Sequence, residues 1–218
     1  MSCPPYVIGV TGNIACGKSL VLSLLARLGA ETIDADRVAH EVMAPGTPTA
    51  ERIIAAFGEG IRGPDGGIDR RALAAIVFSD PRQLARLDAL AHPPTVAAIE
   101  ERVRRSTAAV VAVDAIKLFE AGVADKCDEV WVVICDPAQQ LERLMRRSGL
   151  SREEALRRIQ AQPPQEEKVR RADRVIDNSG TVEETEAQVR AAWNALPAAV
   201  RAKVARAAGD EPAGPSAR

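Results

Sequence analysis

Aromatic rings are scarce in this chain: Phe, Tyr and Trp together make up 3% of its 218 residues. Proteins that stack single-stranded nucleic acid need such rings, so nucleic acid is not the expected partner. Neither charge is in excess, with 29 Lys and Arg against 30 Asp and Glu and a net charge of −1. Composition therefore gives no electrostatic case for capture of a polyanion or an acidic membrane surface. No apolar run approaches the ~18 residues of a transmembrane helix. Met1-Ser2-Cys3-Pro4-Pro5 lacks the charged-then-apolar layout of a secretory leader. Cys3, Cys16, Cys127 and Cys135 have no zinc-type spacing, which leaves reduced thiols and a cytoplasmic setting as the expectation. The lone histidines His40 and His92 carry no motif of their own, and His92 before Pro93 reads as a turn.

What remains is globular: 46% hydrophobic and 27% charged residues, in a chain long enough for one α/β domain with a small subdomain. Its organising stretch is Gly12-Asn13-Ile14-Ala15-Cys16-Gly17-Lys18-Ser19, which matches the phosphate-loop pattern G-x-x-x-x-G-K-[ST]. Tyr6 to Val10 before it is a short apolar run, as in a buried strand. Leu20, Val21, Leu24, Leu25 and Leu28 after it fall at helical spacing, closed by Gly29. A glycine-rich turn between strand and helix points backbone N–H groups at phosphate, and the helix dipole favours the anion. Lys18 reaches for the outer phosphates, and Ser19 offers a hydroxyl to Mg²⁺. Cys16, just before the helix N-terminus and near Lys18, is expected to be a reactive thiol.

Further along, Glu31 to Asp34 reads as a second strand ending in Asp34-Ala35-Asp36. Helices are expected from Thr47-Pro48 to Phe57, from Asp69 to Phe78, from Asp80-Pro81 to His92-Pro93-Pro94, and from Thr95 to Arg105. Ala108 to Asp114 and Glu129 to Cys135 are near-continuous apolar runs, as in central parallel strands. Asp136-Pro137 opens a helix ending in Arg143, Arg146 and Arg147, and capping boxes at Ser151 and Thr181 open two more. Arg174 to Asp177 is a last strand, and from about residue 205 the chain is expected to be disordered. Alternation of strands and helices predicts a parallel sheet with helices on both faces and a ligand beyond the strands' carboxyl ends. The phosphate loop, Asp34 and Asp36, Asp114, and Asp177 with Asn178 all fall at such ends. In phosphate-loop enzymes a carboxylate in the position of Asp114 helps hold Mg²⁺. Of Asp34 and Asp36, either could cap a helix, and one could accept the acceptor hydroxyl's proton. The three arginines suit either a helix C-terminus or a lid over a transferring phosphate.

Together these stretches resemble dephospho-CoA kinase over about residues 6–196. The resemblance is carried by Ile8 to Gly12 leading into the loop, Ile33-Asp34-Ala35-Asp36, Gly67-Ile68-Asp69-Arg70-Arg71-Ala72-Leu73, and Ile76-Val77-Phe78. It continues through His92-Pro93, Leu118-Phe119-Glu120, Gln160-Ala161-Gln162 and Val175-Ile176-Asp177-Asn178-Ser179-Gly180. It implies a phosphate-loop kinase core with a five-stranded parallel sheet, over 1–44 and 107–200, with a lid at about 143–170. A helical CoA-binding subdomain would span 45–106. The implied reaction moves the γ-phosphate of ATP to the ribose 3′-hydroxyl of dephospho-CoA with Mg²⁺, with no obligatory protein partner. By the resemblance, Asp36 is the base, with Lys18 and Arg147 also catalytic. ATP would lie on Gly12, Asn13, Ile14, Ala15, Cys16, Gly17, Lys18, Ser19 and Leu20, with Asn178 and Gly180 near its adenine. The acceptor would meet Asp36, Arg70, His92, Lys117 and Leu118, and Ser19 and Asp114 would hold the metal. The chain departs from the family pattern at Leu20 (usually Thr), at Ile116-Lys117 (usually Pro-Leu) and at Ser148 (usually Asp). Another small-molecule kinase is the alternative. A nucleotide switch fits less well, since Asp177 to Gly180 matches D-x-x-G but no N-K-x-D follows.

Overall fold

The computed structural model describes residues 4–209. Five parallel strands form one sheet: β1 (Tyr6–Gly12), β2 (Glu31–Asp34), β3 (Val110–Asp114), β4 (Glu129–Ile134) and β5 (Arg174–Asp177), in the order β2-β3-β1-β4-β5. The expected α/β architecture is therefore present. Residues of β1, β3 and β4 are buried almost throughout, whereas edge strands β2 and β5 bury only Ile33 and Ile176. Side chains alternate between the two faces of the pleat. Ile8, Val10, Val110, Ala112, Trp131 and Val133 face one core, with α1 (Lys18–Arg27) and α9 (Val182–Asn194) packed over it. Val7, Val111, Val113, Val130 and Val132 face the other, together with Val38 of α2 (Ala35–Val42) and Ile99 of α5 (Pro81–Arg105).

A separate apolar cluster of Ile53, Ile54, Ile61, Leu73 and Val77 joins α3 (Pro48–Phe57) and α4 (Arg70–Val77), and Leu84, Leu87 and Leu90 of α5 pack against it. A fourth, smaller one joins α6 (Pro137–Ser148) and α7 (Arg152–Gln160) through Leu141, Leu144 and Ala155. Both expected capping boxes, at Ser151 and Thr181, are closed reciprocally.

Two expectations are corrected, and one segment that the sequence leaves unassigned is helical. The helices read on either side of Pro93-Pro94 are one continuous helix, α5. Proline removes an N–H and crowds the preceding turn, but Ala91, Thr95 and Ile99 form one buried stripe across the break, and the Thr95 hydroxyl donates to the Ala91 carbonyl at 2.8 Å. The segment after Pro163-Pro164 is a short helix, α8 (Gln165–Val169). Residues 198–209 form α10 (Ala198–Gly209), whose Val200 and Val204 pack against the first core, so disorder from 205 does not hold through 209. The remainder of that expected segment lies outside the described residues.

Candidate active site

Every element of the site sits at the carboxyl ends of the strands. Gly12 ends β1 so close to β4 that a Cβ would fall 2.5 Å from the Val133 carbonyl oxygen. Gly17 has φ +94° and lies against Asn178, whose Nδ2 would be 1.8 Å from a Cβ. Both positions need glycine, which explains the spacing of the motif. Ala15, with φ +62°, is the one non-glycine residue with positive φ among the described residues.

Gly12, Asn13, Ile14, Ala15, Gly17, Lys18 and Ser19 line a cavity of about 520 Å³ together with Asp114, Ile116, Arg143, Arg146 and Arg147. The Lys18 ammonium pairs with the Asp114 carboxylate. Burial pushes Lys18 below the ordinary lysine range, and the charges of Asp36 and then Asp34 pull against that shift. Asp114 is opposite Asp34 in the β2–β3 register, so both carboxylates leave the sheet side by side. Asp34 caps α2, its Oδ1 accepting from the Arg37 N–H at 3.0 Å, while Asp36 follows in the first turn with its side chain exposed. A second cleft of about 650 Å³, lined in part by Asp34, Arg37 and Arg102, opens beside Asp114.

Arg143, Arg146 and Arg147 line one wall of this cavity. Arg143 is oriented by a relay in which Gln139 donates to the Ser179 carbonyl at 2.7 Å and accepts from Arg143 Nη2 at 3.0 Å. Its Nη1 is buried without a protein partner, in a wall of the phosphate cavity. Three glutamines to which the sequence assigns no site role belong to the same frame. Gln139 is one. Gln140 donates to the Ile14 carbonyl at 2.8 Å, and Gln162 accepts from the Ile14 N–H at 2.8 Å.

Packing withdraws Leu118 from the expected acceptor contacts and the Cys16 thiol from the expected reactive ones, and shows what surrounds the other expected site residues. Leu118 is fully buried in the second core, where its Cδ2 would lie 2.8 Å from a Cβ on Gly9, so it cannot meet an acceptor. Cys16 turns its thiol inward to Cys135, and its N–H donates to the Asn13 carbonyl at 3.2 Å. Hydrogen bonding to Cys135 and burial push the Cys16 thiol far up, so it is neither exposed nor activated. Leu20 packs on the first core, and its N–H donates to Gly17 at 2.9 Å. The Asn178 amide locks the back of the loop, donating to the Cys16 carbonyl at 2.8 Å and accepting from Thr185 at 2.9 Å, and the residue is buried. Gly180 is an exposed turn residue before α9. Lys117 and His92 share the Asp88 carboxylate, at 3.4 and 3.3 Å, and Arg70 meets His40 at 3.0 Å. These residues join α5, α4 and α2 to the rim of the core, away from the phosphate cavity.

Mg²⁺ prefers hard oxygen ligands, few of them from protein when substrate phosphates supply the rest. The Ser19 hydroxyl and the Asp114 carboxylate line one cavity and fit that requirement. No group of three or more His, Cys, Asp or Glu side chains among the described residues forms an all-protein cage.

A phosphate loop between β1 and α1, a strand-end carboxylate beside its lysine, and arginines above the cavity define a phosphate-loop kinase. Shikimate kinase from Bacteroides thetaiotaomicron shares the fold, with a TM-score of 0.51 at 16% identity over 88% of this chain and 98% of that one. The chain belongs to the dephospho-CoA kinase family, whose sequence model matches residues 6–184. The dephospho-CoA kinase of Geobacter sulfurreducens is 50% identical over 190 residues, 86% of this chain and 96% of that protein. Among solved structures, TT1252 from Thermus thermophilus has a TM-score of 0.77 at 38% identity, covering 89% of this chain and 100% of its own. Dephospho-CoA kinase from Campylobacter jejuni has a TM-score of 0.64 at 29% identity, over 86% and 95%.

Proposed function

We propose that this chain transfers the γ-phosphoryl group of ATP to the ribose 3′-hydroxyl of dephospho-CoA, and that Asp36 is the base. The observation that carries the reading is the placement of Lys18, in one cavity with the phosphate loop and three arginines and under the charge of Asp36 and Asp34. Phosphoryl transfer asks mainly for positioning and for positive charge around the equatorial oxygens. Loop N–H groups and Lys18 hold the phosphates, and Arg143, Arg146 and Arg147 supply charge from above. Asp36 orients the acceptor hydroxyl and takes its proton as the new P–O bond forms. Ser19 and Asp114 would hold Mg²⁺, which when bound neutralises phosphate charge.

The helices around the third apolar cluster, residues 45–106, form the acceptor-binding subdomain, with Arg70 and His92 toward the acceptor. Residues 143–170 form the lid of the nucleotide-binding core (1–44 and 107–200). No helix among the described residues is long and apolar enough to cross a membrane. Free thiols at Cys16, Cys127 and Cys135 accord with work in a reducing cytoplasm. ADP release from ATP and Mg²⁺, measured with dephospho-CoA, shikimate and nucleoside monophosphates in turn, tests the assignment. Turnover with dephospho-CoA alone is expected. Equal or greater turnover with another acceptor overturns it.

A further inference from the structure

Lys168 of α8 is a buried cation that the phosphate cavity does not account for. Its side chain is 4% exposed, yet its ammonium donates at 3.0 Å to a carbonyl, that of Ile116, and not to a carboxylate. Glu120 attracts it only through space. A charge buried without an ion-pair partner is costly, and a methionine would fill the same volume without that cost. The same Ile116 carbonyl accepts a second hydrogen bond, from the fully buried Thr11 hydroxyl at 3.1 Å. Thr11 immediately precedes the phosphate loop, and Ile116 lies two residues beyond Asp114 on the cavity wall.

This carbonyl is therefore a junction of three chain segments. The backbone follows the sheet as far as Ala115, whose N–H donates to the Val10 carbonyl at 3.1 Å. There it leaves the ladder, and the two donors on Ile116 fix the direction of the exit. Five residues before Lys168 the same strap is tied to the loop itself, where Asn13 Nδ2 donates to the Pro163 carbonyl at 2.9 Å.

We infer that Lys168 is a positioning residue for phosphoryl transfer, which holds the turn after Asp114 against the root of the phosphate loop through the Ile116 carbonyl. The inference rests on the phosphoryl-transfer reading above and adds to it a residue outside the cavity. Removing this tie leaves the phosphate loop its own hydrogen bonds but lets Asp114 and the acceptor-side wall shift. A misplacement of about 1 Å at a reacting centre costs on the order of 10²-fold in rate.

The test uses the full chain as wild type, Lys168→Met, Thr11→Val and the double variant. Melting temperature, ATP·Mg²⁺ affinity without acceptor, kcat, and KM for dephospho-CoA are measured for each. Lys168→Met is expected to keep its melting temperature and its ATP affinity within about twofold while kcat falls about 10- to 100-fold. Thr11→Val lowers kcat less, and the double variant falls short of the product of the single effects, because both act on one carbonyl. A folded Lys168→Met with unchanged kcat overturns the inference. So does a loss explained by weaker ATP binding alone, which would put the ammonium on the phosphates, and so do multiplicative effects in the double variant. If Lys168→Met does not fold, Thr11→Val tests the same junction, and unchanged kcat there is equally fatal. Wild-type turnover, measured alongside, bears on the proposed function and not on Lys168.

Discussion

Asp34 and Asp36 are two residues apart, yet the fold gives them different work. Asp34 ends β2, stands beside Asp114 in the sheet register, and uses its carboxylate to cap α2. Asp36 has no capping role, and its charge acts more strongly than that of Asp34 on Lys18. Asp36→Asn keeps the shape but cannot take a proton, so kcat should fall by about 10²–10⁴ with ATP affinity nearly unchanged. Asp34→Asn should act mainly through α2, lowering the melting temperature. Steady-state kinetics and thermal melts of both variants decide this, and the reverse pattern would make Asp34 the base. Lys18 sets a second expectation. Burial depresses its pKa, so its positive charge is lost as pH rises through a value below the ordinary lysine range. The alkaline limb of kcat/KM should therefore fall in that lowered range and move upward in Lys18→Arg, whose guanidinium stays protonated. At this scale the sequence disclosed which loop binds phosphate, because its glycine spacing is forced by geometry. It did not disclose which neighbours face inward. Leu118, Cys16 and Asn178 each lie within or beside a motif, and only the packing of Gly9, Cys135 and Thr185 against them reveals that the first two serve the core and the third braces the loop.

Elements were legible where their ends carry chemistry. Capping residues at Thr47, Asp69, Asp136, Ser151 and Thr181 each accept from backbone N–H groups, as their sequence positions predict. The strands were legible because burial on both faces leaves nearly unbroken Val-rich runs. Helix α5 was misread because proline is a local signal, while its buried stripe, packed on α2, α3 and α4, is a tertiary one. Helix α10 was missed because Val200 and Val204 alone supply little periodicity to a sequence rich in Ala and Arg. Its docking has a measurable consequence. Val204 Cγ1 would lie 3.5 Å from a Cβ on Gly29, so α10 covers the end of α1 and the edge of the first core. Partial burial of two valines is worth about 1–3 kcal/mol. Truncation after Pro197 should lower the melting temperature by roughly 2–12 °C at a rate of ~2–4 °C per kcal/mol, while kcat at 25 °C holds, since no residue of α10 lines the phosphate cavity. An unchanged melt would mean that the helix contributes nothing to stability.

At the scale of the whole molecule, four apolar clusters among the described residues differ in size, and the smallest is the one over the phosphate loop. It buries Leu141, Leu144 and Ala155, and its remaining contacts include Ile14 and Ala15 of the phosphate loop itself. The α6–α7 unit is thus not an independent domain. Part of its core is the loop it covers, and Gln140, Gln162 and the Pro163 carbonyl add hydrogen bonds between the two. A unit with so few buried side chains opens at lower free energy than the central sheet. Phosphate bound on the loop would immobilise Ile14 and Ala15 and engage Arg143, which raises the free energy of that opening. Amide hydrogen exchange should therefore be faster over 150–161 than over β1, β3 and β4 in the free protein. ATP·Mg²⁺ should slow exchange over 143–162 at least about fivefold, as expected for ligand linkage at concentrations several times Kd, and leave α3 and α4 nearly unchanged. Dephospho-CoA alone should protect residues 45–106 instead. Protection by ATP confined to residues 12–20, with 143–162 unaffected, would show that loop and lid move independently and that the arginines do not close on the nucleotide.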